Sequence, residues 1–159
     1  RVEPPKGDGA WNVSEVWKTT KAELYMDSPM RVGDHLYFRS NKRAGSFVSL
    51  DPATGEIVWQ SPGRWAAYSS VIAVGDRLLA LTDGAELKVI AADPAGYQEL
   101  ASWDVATSST WAHLALAGSR LYVKDEEHLA SFDLAAARYT TKTTDRLATR
   151  TAAPTAKRL

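Results

Sequence analysis

Cysteine is absent from all 159 residues, which excludes disulfides, thiolate catalysis and cysteine-held metal. The absence selects no compartment, because exported proteins also do without the residue. Charge of one sign is lacking too: 19 basic residues balance 19 acidic ones, so no bulk field draws the chain to nucleic acid or an anionic membrane. No apolar run approaches the roughly 18 residues of a membrane span. The start, "RVEPPKGDGAW", has neither an initiator Met nor a signal-peptide apolar region and reads as an excised or processed piece. There is no Gly-rich phosphate loop, no G-x-S-x-G, no C-x-x-C and no H-E-x-x-H or H-x-x-x-H. Catalysis therefore has no positive signal. What remains is an ordinary globular composition, 45% hydrophobic and 24% charged, enough for one domain with a core.

What the chain does have is a repeat. "RVGDHLYF", "AVGDRLLAL" and "LAGSRLYV" align on Gly33, Gly75 and Gly118, spaced by 42 and 43 residues, each with a Leu three positions on. Trp17, Trp59 and Trp103 form a second series, spaced by 42 and 44. Asp51, Asp93 and Asp133 form a third, spaced by 42 and 40. Three markers on one period define a repeat architecture.

Each unit reads as strands. Short apolar, β-branched or aromatic runs such as "HLYFRS", "SFVSLD" and "EIVWQ" are separated by Gly-Asp, Gly-Ser, Asp-Gly and Asp-Pro punctuation. No 3.6-periodic stretch of helical length occurs before residue 134. Four antiparallel strands in about 42 residues is the spacing of a β-propeller blade. The predicted fold is all-β: a partial propeller of two and a half to three blades, with units near 16–19, 28–60, 69–105 and 112–134. Residues 1–15 read as an irregular lead-in. Residues 135–159, with six Lys or Arg against Asp145, read as a disordered basic Thr/Ala-rich tail. Closed propellers have about 4 to 8 blades, so this arc needs the other blades of a parent ring, or another copy of itself, to close.

Residues 49–59, "SLDPATGEIVW", resemble the tryptophan-docking motif of the quinoprotein-type propellers, Ala-x-Asp-x-x-Thr-Gly-x-x-x-Trp. Asp51, Thr54, Gly55 and Trp59 match, and Ser49 departs from it. The second copy, "AADPAGYQELASW", keeps Ala91, Asp93, Gly96 and Trp103 but is two residues longer and lacks the Thr; the third stops at "SFDL". The resemblance is to the PQQ-like repeat superfamily and covers residues 16–134. It implies that these residues clamp adjacent blades by hydrogen bonds and stacking, and that the protein is exported, to the periplasm or outside the cell. Some members are dehydrogenases that bind pyrroloquinoline quinone and Ca²⁺. Others, the lipoprotein of the outer-membrane β-barrel assembly machinery among them, keep the propeller without cofactor or catalysis. The dehydrogenases are known for a disulfide of adjacent cysteines and for acidic and Asn ligands to calcium. Here Cys is absent, and Asn12 and Asn41 lie in no matching motif. The non-enzymatic members look closer, and no cofactor is expected outside the dehydrogenase alternative.

The remaining candidates are few. His35 aligns with Arg77 and Arg120 at a solvated turn, and His113 aligns with Ser28 and Ser70 where the innermost strand begins, a channel-rim position suited to hydrogen bonding. Asp125, Glu126 and Glu127, and Asp83 with Glu86, fall in hairpin loops where carboxylates are usually just solvated. Arg39, Lys42 and Arg43 form a small basic cluster at a hairpin tip. The inter-blade connections "SPGRWAAYSS" and "ATSSTWAH" carry Arg64, Trp65, Tyr68, Trp111 and His113, residue types that form binding hot spots, although Tyr68 and Trp111 also suit wedge packing. The expectation is a binding or scaffold segment of a larger propeller with a protein partner and no nucleic acid. The alternatives are a dehydrogenase fragment and an assembly-platform or sensor domain of an envelope machine.

Overall fold

The computed structural model describes residues 1–42, 45–136 and 157–158. Two short strands come first, β1 (Val2–Glu3) and β2 (Asn12–Val13), paired as a ribbon with Val2 opposite Val13. Thus part of the stretch that sequence suggested was irregular carries a ladder, and Val2 and Val13 lie exposed on one face of it.

Three four-stranded antiparallel sheets follow, each in simple up-and-down order. Blade 1 holds β3 (Met30–Val32), β4 (His35–Arg39), β5 (Phe47–Leu50) and β6 (Ile57–Gln60). Blade 2 holds β7 (Ser69–Val74), β8 (Arg77–Thr82), β9 (Glu86–Ala91) and β10 (Glu99–Asp104). Blade 3 holds β11 (Ala115–Ala117), β12 (Arg120–Lys124) and β13 (Leu129–Asp133), and its fourth position is held by β14 (Lys157–Arg158), paired with Ala130 and Ser131. A 3-10 turn, Leu134–Ala136, ends the third unit. The architecture is a partial, unclosed propeller. Of the tail, residues 137–156 and 159 lie outside the described residues.

The period-2 alternation of each strand builds the stack. Tyr37 and Phe47 point from blade 1 toward blade 2, where they meet Leu78, Ala80 and Ile90; Leu79, Leu81, Leu87 and Val89 point the other way and meet Leu121, Val123 and Phe132 of blade 3. Side chains of this size stabilise by about 1.5–3 kcal/mol each when fully buried. The far face of blade 1, Phe38, Val48 and Leu50, is covered by Trp17, Ala22 and Leu24 from the chain before β3. The aligned glycines open the innermost hairpins: Val32 pairs with His35 across Gly33–Asp34, and a two-residue loop of this kind needs the positive φ of 56° that Gly33 adopts. No strand forms over 16–19, the predicted close of a preceding unit: among the described residues none pairs with them in a ladder.

Candidate functional site: the seams between blades

At the first seam Trp17 lies across Gly55. A Cβ placed on Gly55 would stand 2.6 Å from Cε3 and 2.8 Å from Cδ2 of Trp17, so only glycine lets the ring approach. The indole Nε1 donates to the Pro52 carbonyl at 2.7 Å. The turn beneath is tied by Asp51: Oδ1 accepts the Ala53 amide at 2.8 Å, Oδ2 accepts the Thr54 hydroxyl at 2.9 Å, and the Asp51 carbonyl accepts the Gly55 amide at 2.8 Å. The Ala53 amide and the Thr54 hydroxyl hold the Asp51 carboxyl below the usual carboxylate range. Gly55 sits at φ 75° to make the turn.

The second seam uses the same scheme with different packing. Trp59 Nε1 donates to the Asp93 carbonyl at 2.8 Å, and Asp93 Oδ1 accepts the Ala95 amide at 2.8 Å. Gly96, however, has open space above it. The Trp59 ring instead packs against Tyr37, Phe47 and Tyr97, with centroids 5.9, 6.4 and 5.9 Å away. At the third seam Asp133 again closes its turn, Oδ1 accepting the Ala135 amide and the Ser119 hydroxyl at 3.0 Å each. Trp103 packs into the blade 2–blade 3 core beside Leu134; among the described residues its indole donates no hydrogen bond.

Two polar networks inside the second seam, between blades 1 and 2, were not anticipated. Arg39, 4% exposed, donates from Nε to the Ala66 carbonyl at 2.7 Å, and from Nη1 to Asn41 and, at 3.5 Å, to Asp27 Oδ2. Asp27 in turn accepts the Ser69 amide at 3.1 Å, joining blade 1 to the innermost strand of blade 2. Burial pushes the Asp27 carboxyl up against the pull of Ser69 and Arg39. Arg39 is therefore an internal brace and no part of an exposed basic cluster; Arg43 lies outside the described residues. The other network centres on Lys88, on the blade 2 face that looks toward blade 1. Its ammonium meets Glu86 and Glu99 at 3.0 Å each, and Glu99 also accepts the Tyr97 hydroxyl, which accepts Trp65 Nε1 at 2.9 Å. Desolvation pulls Lys88 down, but hydrogen bonds and attraction from Glu86 and Glu99 outweigh it and hold the amine above its usual value. Burial pushes the Tyr97 phenol well up. One signal could have revealed this network: a lysine interrupting the apolar run "LKVIAA", which a buried strand tolerates only if the charge is paired.

The loop acids also turn out to be structural rather than merely solvated. Asp83 Oδ1 accepts the Ala67 and Tyr68 amides at 3.0 and 3.1 Å. Asp125, 7% exposed, accepts the Glu127 and His128 amides, and the His128 amide above all lowers its carboxyl. His35, expected at a solvated turn, is half-buried with Nδ1 3.3 Å from Ser49 Oγ. The structure divides the predicted surface group. Trp65 is packed on Phe47 with centroids 4.8 Å apart, and Tyr68 is buried beneath Trp111, stacked at 5.7 Å. Arg64, Trp111 and His113 are exposed, with His113 Nδ1 3.2 Å from Ser70 Oγ. Tyr25 and Met26, which precede β3 as Tyr68 precedes β7, are exposed as well. Among the described residues no three His, Asp or Glu side chains gather so as to hold a cation.

A twisted four-stranded sheet repeated about an axis, clamped by tryptophans, defines the class of β-propeller and quinoprotein-like folds, and the solved structures that resemble the chain bear that out. BamB from Moraxella catarrhalis matches with a TM-score of 0.56 at 16% identity, over 69% of this chain and 37% of that one. The computationally designed Ika4 protein matches with a TM-score of 0.59 at 13% identity, over 84% of this chain and 81% of that one. A europium-containing methanol dehydrogenase matches with a TM-score of 0.54 at 14% identity, over 74% of this chain and 24% of that one. The chain thus spans little more than a third of the first and a quarter of the third. Likenesses this distant in sequence concern the fold alone, and the fold is shared by catalytic and non-catalytic proteins. No protein-family model matches the chain, and no curated protein matches its sequence.

Proposed function

We propose that the chain is a non-catalytic binding or scaffold segment of a propeller, acting outside the cytoplasm, whose ligand is another protein. The observation that carries this reading is where its polar groups are spent. Asp27, Arg39, Asp83, Lys88 and Asp125 are each tied into hydrogen bonds that hold turns or blades together. Acid–base or nucleophilic work needs such groups converging on a shared open space, and here they face the protein. What is left open at the end where the innermost strands begin is aromatic and cationic: Trp111 backed by Tyr68, with Arg64 and His113 on the adjoining connections. That composition suits a protein contact, with Trp and Arg as anchors. The tryptophan–aspartate seams, in this reading, are packing devices that hold the loops in place.

The test sets this role against a quinone-dependent dehydrogenase. With pyrroloquinoline quinone and Ca²⁺ added to the full-length protein, the melting temperature is expected to stay unchanged, and an artificial electron acceptor is expected to stay oxidised in the presence of alcohols and aldoses. A ligand held at 100 times its Kd would add about 2.7 kcal/mol, so a cofactor-dependent rise with dye reduction overturns the reading.

A further inference from the structure

We propose that the protein partner engages this chain through an extended acidic segment, laid across the connections 61–68 and 105–114 with a carboxylate on Arg64 and an apolar side chain on Trp111. The proposal rests on the protein-binding reading above and names the chemistry of the partner.

The two ends of the blades differ. Up-and-down order puts the inter-blade connections, and the loops between second and third strands, at one end; the glycine hairpins and aspartate turns lie at the other. Tyr25, Met26 and Trp111 are exposed at the connection end, whereas among the described residues the hairpins and turns expose no large apolar side chain. Trp111 is stacked on Tyr68, which ties the two connections into one surface. Arg64 lies between blades 1 and 2 and the stack between blades 2 and 3, so the sheets that frame the site are blades 1 to 3 themselves.

The charge offered by this surface is one-sided because most of its acids are consumed. Asp27 accepts the Ser69 amide and faces Arg39, Asp83 accepts the Ala67 and Tyr68 amides, and Asp125 accepts those of Glu127 and His128. Glu23 is paired with Lys42 at 3.5 Å. Arg64 is exposed and, among the described residues, has neither an ion pair nor a hydrogen bond.

His113 adds a directed donor. Ser70 Oγ already accepts the Leu114 amide at 3.1 Å, so its own proton turns to His113 Nδ1 at 3.2 Å. With Nδ1 accepting, the neutral ring carries its proton on Nε2 and offers an N–H to an incoming carbonyl or carboxylate.

A guanidinium, an imidazole N–H and an indole face together complement an anionic segment with an apolar side chain. Four residues separate Arg64 from Tyr68, at most about 14 Å of chain. An extended segment of about five residues spans that at roughly 3.3 Å each. Glu126 and Glu127, exposed on the loop of blade 3, bound the site on that side. They disfavour a nucleic-acid strand, whose charge repeats at every phosphate.

Fluorescence anisotropy on the full-length protein tests this with labelled hexapeptides of alternating Glu and Phe, Gln and Phe, or Lys and Phe, and with oligo-dT. The Glu peptide is expected to bind about three- to tenfold more tightly than the Gln peptide, and the Lys peptide more weakly than either. Arg64→Gln should erase that preference and leave the Gln peptide unchanged, while Trp111→Ala should weaken the Glu and Gln peptides alike. Arg120→Gln, at the hairpin end, should change nothing. A preference that survives Arg64→Gln overturns the proposal, as do equal binding of the three peptides, no binding at millimolar peptide, or tighter binding of oligo-dT. Equal binding that Trp111→Ala abolishes removes the acidic partner but leaves the protein-binding role standing; failure of the role itself shows in the quinone assay.

Discussion

Replacing Gly55 with alanine is the sharpest perturbation of the seam, because two separable costs fall on one methyl group. The backbone at φ 75° places an L side chain in the left-handed region at roughly 1–2 kcal/mol, less about 0.4–1 kcal/mol recovered from a stiffer unfolded chain. The second cost is steric. With the new carbon 2.6 Å from the Trp17 ring, against a comfortable separation of about 3.5–4.0 Å, the indole must lift by about 1 Å. That strains the Nε1–Pro52 bond, worth about 1 kcal/mol, and opens the contact over Phe38, Val48 and Leu50. Together Gly55→Ala should cost about 2–4 kcal/mol in urea unfolding. A double-mutant cycle separates the parts: in a Trp17→Ala background only the backbone cost of about 1 kcal/mol should survive, leaving a coupling of about 1–3 kcal/mol. Equal costs in both backgrounds, or a coupling under about 0.5 kcal/mol, would refute the account of Gly55 as the floor of a tryptophan dock.

Lys88→Ala should destabilise by about 1–2 kcal/mol by leaving Glu86 and Glu99 side by side, less than a fully enclosed pair would cost because water reaches both carboxylates; Lys88→Met, which keeps the stem, should lie closer to wild type in the same denaturation series. Its raised amine means that this contribution is complete below the unfolded lysine value of about 10.4 and is lost as pH climbs through the higher folded value, so alkaline unfolding should come earlier in wild type than in Lys88→Met relative to their stabilities at neutral pH. Asp51 and Asp125 work at the other end: their lowered carboxyls contribute stability that is present above the unfolded Asp value of about 3.9 and disappears as pH falls through the folded values. Carbon-detected NMR titration should show both midpoints below free Asp. Asp27 has the reverse sign, since its raised carboxyl makes the folded state hold the proton more tightly, and its own contribution declines as pH rises from the unfolded value through the folded one; a midpoint at or below free Asp would contradict its burial. Trp65→Phe keeps the ring on Phe47 but removes the donor to Tyr97, and should cost about 0.5–1.5 kcal/mol in urea.

Much of this fold is legible in the sequence because propeller physics writes itself at fixed spacing. Gly33, Gly75 and Gly118 recur because each innermost hairpin turns on a residue with positive φ, and Asp51, Asp93 and Asp133 recur because a carboxylate accepting an amide two residues on closes each third-strand turn. Strand alternation follows from the same periodicity. The docking partners were harder to read. Gly55 and Trp59 share one motif, yet Gly55 takes the tryptophan of the preceding unit, Trp17, because the wedge sits between blades rather than within one. Equally hidden was the individuality of each seam. Gly96 carries no ring above it, and Trp59 packs instead on Tyr37, Phe47 and Tyr97, partners from two blades that no local pattern records. Buried charges such as Arg39 and Asp27 escape for a related reason: twelve residues separate them, and only the packed sheets bring them together.

The seams also explain why charged residues here give no hint of chemistry. An all-apolar wedge between sheets would pack well but would specify rotation and register poorly, since apolar contacts are non-directional. A guanidinium held by the Ala66 carbonyl, Asn41 and Asp27 has one geometry, and so does an ammonium between Glu86 and Glu99. Both lie between blades 1 and 2. The blade 2–blade 3 core, by contrast, is made of Leu79, Leu81, Leu87, Val89, Leu121, Val123 and Phe132. That seam carries directional ties as well: the buried Thr110 hydroxyl donates to the Thr82 carbonyl, and the Leu114 amide donates to Ser70 Oγ at 3.1 Å. Both seams therefore fix their blades in register, and Trp111, stacked on Tyr68 at the second of them, is an exposed aromatic held on a set frame, which suits an anchor more than an adaptable contact.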